Sequence, residues 1–182
     1  MKIAKQIISL CEAIKVGTSF SSYQKIALES AINFYLKELG VTKVPPITVK
    51  SIKQKKTFGD IALNTDGSIQ DKFVIKVDPR SFFELFLKQV AHEVTHLKQI
   101  VKSELSAGQV EGKMSILWNG KPVISSDEYG SGMDYDVYSK LPFEAEAIEK
   151  SKELRDKYIK SDEFQALKGK DPLLDQIIGG MK

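Results

Sequence analysis

Both histidines of this 182-residue chain lie within the stretch Val90-Ala91-His92-Glu93-Val94-Thr95-His96-Leu97. Val90, Ala91, Val94, Leu97 and Ile100 recur at helical spacing around them, which predicts a long helix with a buried face. On a helix, side chains four residues apart stack on one face, so His92 and His96 can aim ring nitrogens at a single point. Buried imidazoles without partners are costly, and a shared divalent cation is the partner that suits two of them. Zinc accepts imidazole nitrogen at about 2.0–2.1 Å, and a catalytic zinc site takes three protein ligands and leaves its fourth position to water. Glu93 falls beside that open position, where a carboxylate can take a proton from the water and hand it to a leaving amine. A chain built this way must fold so that another element delivers the third ligand.

That ligand cannot be histidine, because none remains. The H-E-x-x-H spacing is a known zinc-protease signature, but its extended form needs glycine at 99 and histidine at 102, where this chain has Gln99 and Lys102. The remaining choice is a carboxylate on a later helix, and Leu141-Pro142-Phe143-Glu144-Ala145-Glu146-Ala147-Ile148 is the candidate. The apolar stripe there is Phe143, Ala147, Leu154 and Tyr158. Glu144 lies about 50° from its middle and Glu146 more than about twice as far round. Glu144 is therefore favoured as the ligand, with Ala147 small enough to let the helices approach. Glu146 is read as a solvated partner of Lys150 at i+4.

The rest of the chain is read around this pair. Ile3, Ile7, Leu10, Cys11 and Ile14 predict an N-terminal helix with Cys11 buried in it. The Ser21 to Gln24 capping box opens a second helix that stops at Gly40. Alternation then predicts strands at Ile47 and Val49, at Ile61 and Leu63, and at Phe73, Ile75 and Val77. Asp66-Gly67 is read as the turn of a hairpin in a small antiparallel sheet. Asp78-Pro79 and a Ser81 to Glu84 capping box should open the histidine-bearing helix, Phe82 to about Lys102. About thirty residues follow with several glycines, a length suited to a lid or rim, holding a short hairpin that turns at Asn119-Gly120. Pro142 starts the next helix, Phe143 to about Tyr158. Weaker helical pieces lie around Phe164 and after Asp171-Pro172, and the Gly179-Gly180 end should fray. The expected fold class is α+β in a single domain, residues 1–182, with the tail from about 161 peripheral.

Composition narrows the setting. Twenty-seven basic against 24 acidic residues give a formal charge of +3, spread along the chain, so no nucleic-acid partner is expected, and Lys53-Gln54-Lys55-Lys56 reads as a solvated turn. One cysteine allows no internal disulfide and fits a reducing compartment. The N-terminal apolar run is too short for a secretion signal, and nothing approaches the length of a membrane span, so no membrane partner is expected. These features point to a cytoplasmic protein.

The order HEVTH, then Trp118-Asn119-Gly120, then Tyr138 to Ala147 as Y-x-x-x-P-x-E-x-E-A resembles small metallopeptidases of the gluzincin type found in tailed bacteriophages. The likeness covers about Phe82 to Leu154. It implies a zincin-like fold, in which a small mixed sheet packs on the active-site helix and an edge strand holds extended peptide. The strand around Phe58 to Asn64 is the candidate edge, with Gly59 permitting close approach. The resulting expectation is a one-zinc peptidase acting on a peptide or protein substrate, with His92, His96 and Glu144 on the metal and Glu93 as general base. If the chain is phage-encoded, its setting is the host cytoplasm. Tyr129, Tyr135 and Tyr138 are considered for oxyanion stabilisation, but an aromatic core or rim role is preferred for each. The alternative expectation is a non-catalytic binding protein of the same fold, gripping a host or virion partner through the segment 103–141. A DNA-associated protease of the SprT-like kind is disfavoured by the absence of a cysteine-rich zinc ribbon and of a third histidine.

Overall fold

Strand β1 (Ile14–Val16), helix α1 (Ser22–Glu38), and strands β2 (Ile47–Ser51) and β3 (Phe73–Val77) form the first layer of the protein. The computed structural model describes residues 14–52, 73–129 and 133–181. Phe73, Ile75 and Val77 turn one face inward and are buried, as are Ile47 and Val49, which is the alternation the strands were expected to show. The pairing direction differs from expectation. The sheet runs β1-β2-β3 and is parallel throughout, with Ile14 opposite Ile47 and Ile47 opposite Phe73. The physical reason lies in the connection: β1 returns to β2 through helix α1, and a crossover of that length joins parallel neighbours. Ile14 thus opens a strand rather than closing a helix. The remainder of the expected N-terminal helix, including Cys11, lies outside the described residues. So do the basic run at 53–56, the strand and edge expected at 58–64, and the Asp66-Gly67 turn.

The Ser21–Gln24 box at the start of α1 is present, with the Ser21 N–H donating to Gln24 Oε1 at 3.1 Å. Gln24 also donates through Nε2 to the Pro79 carbonyl at 2.6 Å, which ties α1 to the turn after β3. In that turn Asp78 accepts from the Arg80 N–H, and the Ser81 N–H bonds to the Asp78 carbonyl. Because Ser81 is engaged there, the Ser81–Glu84 box does not form. Helix α2 (Phe83–Val101) starts one residue later than that box would place it, with Phe82 as an N-cap lacking a side-chain bond.

The segment after α2 is more regular than a rim loop. Strands β4 (Leu105–Val110), β5 (Lys113–Trp118) and β6 (Lys121–Ser125) make a separate antiparallel meander. The expected turn joins β5 to β6: Asn119 and Gly120 have φ of 50° and 75°, the pair of positive values a two-residue hairpin turn requires. A short helix α3 (Tyr135–Tyr138) leads into α4 (Pro142–Ile159), whose Pro142 occupies the first turn, where its missing N–H costs nothing.

Helices α5 (Asp162–Gln165) and α6 (Pro172–Gly180) close the chain. They are less peripheral than expected. Phe164 is fully buried, with its ring centroid 5.2 Å from that of Tyr158, and Leu167, Leu174 and Ile178 are buried too. Asp171 caps α6 by accepting from the Leu173 N–H at 2.9 Å, and the helix carries Gly179 and Gly180 where fraying was expected. Ile178→Val is accordingly expected to lower stability by about 0.5–1.5 kcal/mol in urea unfolding, the cost of one buried methyl. No change at all would place α6 outside the core. The protein is thus mixed α and β, with two small sheets and several helices among the described residues. No helix among them is long and apolar enough to cross a membrane.

Candidate metal centre

Helices α2 and α4 pack more extensively than any other pair of elements among the described residues. On α2 the apolar face of Phe86, Leu87, Val90, Ala91, Val94 and Leu97 is buried, and helical spacing puts His92 and His96 on the other side of the helix, where both meet Glu144 of α4. Opposite them α4 presents Phe143, Glu144 and Ala147, each 0% exposed. Ala147 keeps the seam narrow where the polar groups meet.

The two imidazole Nε2 atoms lie 3.1 Å apart. Glu144 brings Oε2 to 3.3 Å from His92 Nε2 and Oε1 to 3.4 Å from His96 Nε2. A tetrahedral ion with bonds of about 2.0–2.2 Å separates neighbouring ligand atoms by about 3.3–3.6 Å, so the spacing from each imidazole to its own carboxylate oxygen is of the size a zinc ion needs, and one ligand atom from each of the three residues can be chosen within 4.8 Å of the others. Two imidazoles and one carboxylate are three ligands, which for a tetrahedral ion leaves a fourth position to water. A second observation agrees. Glu144 Oε2 is buried and makes no well-directed hydrogen bond among the described residues, which is costly for a carboxylate unless a cation faces it. These are the only three histidine, cysteine or acidic residues grouped closely enough for an ion among the described residues.

Burial alone would raise the Glu144 pKa, but the close His92 and His96 rings and the Tyr138 hydroxyl more than offset it and hold the group well below the ordinary carboxylate range. Burial likewise works against protonation of His96, and the neighbouring Glu144, then Glu93 and Gln99, reverse this and raise its pKa. Glu93, next to His92 on α2, is buried at 8% exposure. Its charge is felt by both His96 and Tyr129, which places it at the site but outside the three-atom cluster.

The carboxylates thus divide as the apolar stripe of α4 suggested, with Glu144 in the cluster and Glu146 out of it. The role expected for Glu146 is corrected, however. It accepts from Lys98 Nζ at 2.9 Å and from Gln99 Nε2 at 2.8 Å, both on α2, while Lys150 bonds to Glu153 at 2.7 Å. The last turn of α2 runs beside the first turn of α4 and offers a half-buried Lys98 and a buried Gln99 as donors that an i+4 argument along one helix does not see.

Of the three tyrosines, Tyr135 is exposed. Tyr129 donates to Glu144 Oε1 at 3.2 Å, and Tyr138 is buried with its hydroxyl against the same carboxylate. Their rings lie 5.9 Å apart, and Tyr129 also packs on Phe143 at 5.8 Å. Both therefore brace Glu144, a role the sequence reading did not assign. Outer partners of this kind change metal affinity by about 10- to 100-fold, and Tyr129→Phe is expected at the lower end, with zinc binding weakened by about tenfold in a competition titration. An unchanged affinity would show that the hydroxyl does not brace the carboxylate. Trp118 of the β5–β6 turn reaches the same seam, its ring 6.5 Å from that of Phe143.

Comparison with family models, with curated proteins and with solved structures finds no significant match to this chain.

Proposed function

We propose that this chain is a zinc-dependent peptidase in which His92, His96 and Glu144 hold one ion and Glu93 is the general base. The observation that supports it best is the convergence of two Nε2 atoms and a buried, incompletely bonded carboxylate within 3.4 Å of one another, beside an adjacent glutamate. When bound, zinc supplies Lewis acidity, lowering the pKa of a water and polarising a peptide carbonyl. Glu93 accepts the proton of that water and returns it to the departing amine, so its carboxylate must be ionised at the start of the cycle. Tyr129 and Tyr138 keep Glu144 oriented. The motif order from HEVTH to LPFEAEA supports a gluzincin-like, phage-type relationship as part of the same reading. Its test is cleavage of a broad quenched-fluorescence peptide library that stops on chelation and resumes with zinc. Zinc-loaded protein that cleaves no member of the library contradicts it.

The pH dependence of binding follows from the imidazoles, which coordinate only when neutral. The His96 pKa is raised in the metal-free protein. Zinc affinity is therefore full above that raised value and falls as pH drops through it, beginning above the ordinary imidazole value of about 6.5. Zinc titrations between about pH 5 and 8 check this, and an affinity that stays flat to about pH 5 contradicts it.

A further inference from the structure

His96 is held by more than the helix that carries it. Its Nδ1 lies 2.8 Å from Gln99 Oε1, on the adjoining turn of the same face. The orientation of that amide is dictated by its other end. Gln99 Nε2 is 2.9 Å from the Phe143 carbonyl oxygen and 2.8 Å from a carboxylate oxygen of Glu146. Both neighbours accept hydrogen bonds and neither donates, so the NH₂ group must face them and the carbonyl must face the ring. A carbonyl facing Nδ1 requires a proton there. Gln99 is 0% exposed and has no room to turn into solvent. Glu146 is fixed in its turn by Lys98, which also bonds to Glu104 at 2.6 Å.

We propose that Gln99 is a positioning residue, and that Glu146 acts through it: together they require His96 to carry its proton on Nδ1, leaving Nε2 bare and aimed at Glu144 and His92. The proposal rests on reading the cluster as a metal centre, but it makes a statement about the metal-free ring as well. In a neutral imidazole the nitrogen left for a metal is the one whose partner nitrogen is engaged as a donor. The negative Glu146, accepting from the amide NH₂, strengthens the carbonyl at the other end as an acceptor, because hydrogen bonds in series polarise one another. The run Lys98, Glu146, Gln99, His96 thus passes a fixed orientation from the outer edge of the seam to the ligand atom.

The test is nitrogen-15 NMR of histidine-labelled, metal-free protein at a pH where both rings are neutral, read together with zinc affinity. Wild type should show His96 in the Nδ1–H form. Gln99→Leu should lose that single form and bind zinc about 10- to 100-fold more weakly. If Gln99→Leu does not fold, Glu146→Ala, which leaves the buried amide in place, should shift both readouts in the same direction by less. An Nε2–H form in wild type overturns the proposal, as does Gln99→Leu with an unchanged tautomer and affinity. Wild type that shows the Nδ1–H form and binds no zinc supports the tautomer assignment and sinks the metal reading instead.

Discussion

Glu93→Gln is expected to keep the metal and lose cleavage, with kcat/KM lowered by about 100- to 10,000-fold, the usual worth of a positioned general base. The substitution preserves shape and length, and it removes the negative charge and with it the ability to take a proton. Glu93 is buried at 8% exposure and lies outside the cluster of Nε2 and carboxylate atoms, so the ion should remain bound at wild-type stoichiometry. Its charge acts on His96 and Tyr129, so some shift in the His96 titration is expected alongside the loss of rate. Peptide cleavage and metal content measured on one preparation decide the matter. A variant that cleaves at the wild-type rate removes Glu93 from the mechanism, and one that loses its metal makes Glu93 a ligand.

Glu144→Ala should be the most damaging change to metal binding, weakening zinc by more than the roughly 100-fold that marks the upper end for residues acting behind a ligand. Two imidazoles four residues apart still face each other in this variant, but the third point of the triangle is gone. The hydroxyls of Tyr129 and Tyr138 lose their acceptor as well. Glu146→Ala is the control. Its carboxylate contacts Lys98 and Gln99 and reaches His96 only through Gln99, so its effect should be smaller than that of Gln99→Leu. Loss of the ion in Glu146→Ala but not in Glu144→Ala would reverse the assignment.

The residues of the cluster were legible in sequence for physical reasons that do not extend to their surroundings. His92 and His96 share a face because helical spacing fixes it, and Glu144 was separated from Glu146 by its angle to the apolar stripe of α4. What an i+4 rule cannot supply is the neighbouring helix. Glu146 therefore took an assumed partner in Lys150 when its bonds go to Lys98 and Gln99. Gln99 itself registered only as the place where an extended zinc motif would have needed glycine, although its spacing of three from His96 already put it within reach of the ring. In the sheet, alternation at Phe73, Ile75 and Val77 marked a strand but carried no information on its direction, and the pairing is parallel. Strand β4 escaped notice because Ser106, Ala107, Gly108 and Gln109 show neither alternation nor β-branching; its order comes from pairing with β5. Ile14 fits a helical spacing and a strand equally well, and only its register opposite Ile47 decides between them.

The most direct measurement is anomalous diffraction at the zinc edge from crystals grown with one equivalent of zinc. A single peak is expected about 2.0–2.2 Å from Nε2 of His92, Nε2 of His96 and a carboxylate oxygen of Glu144. A peak coordinated elsewhere, or no peak while the two rings and Glu144 remain in contact with one another, would contradict the account.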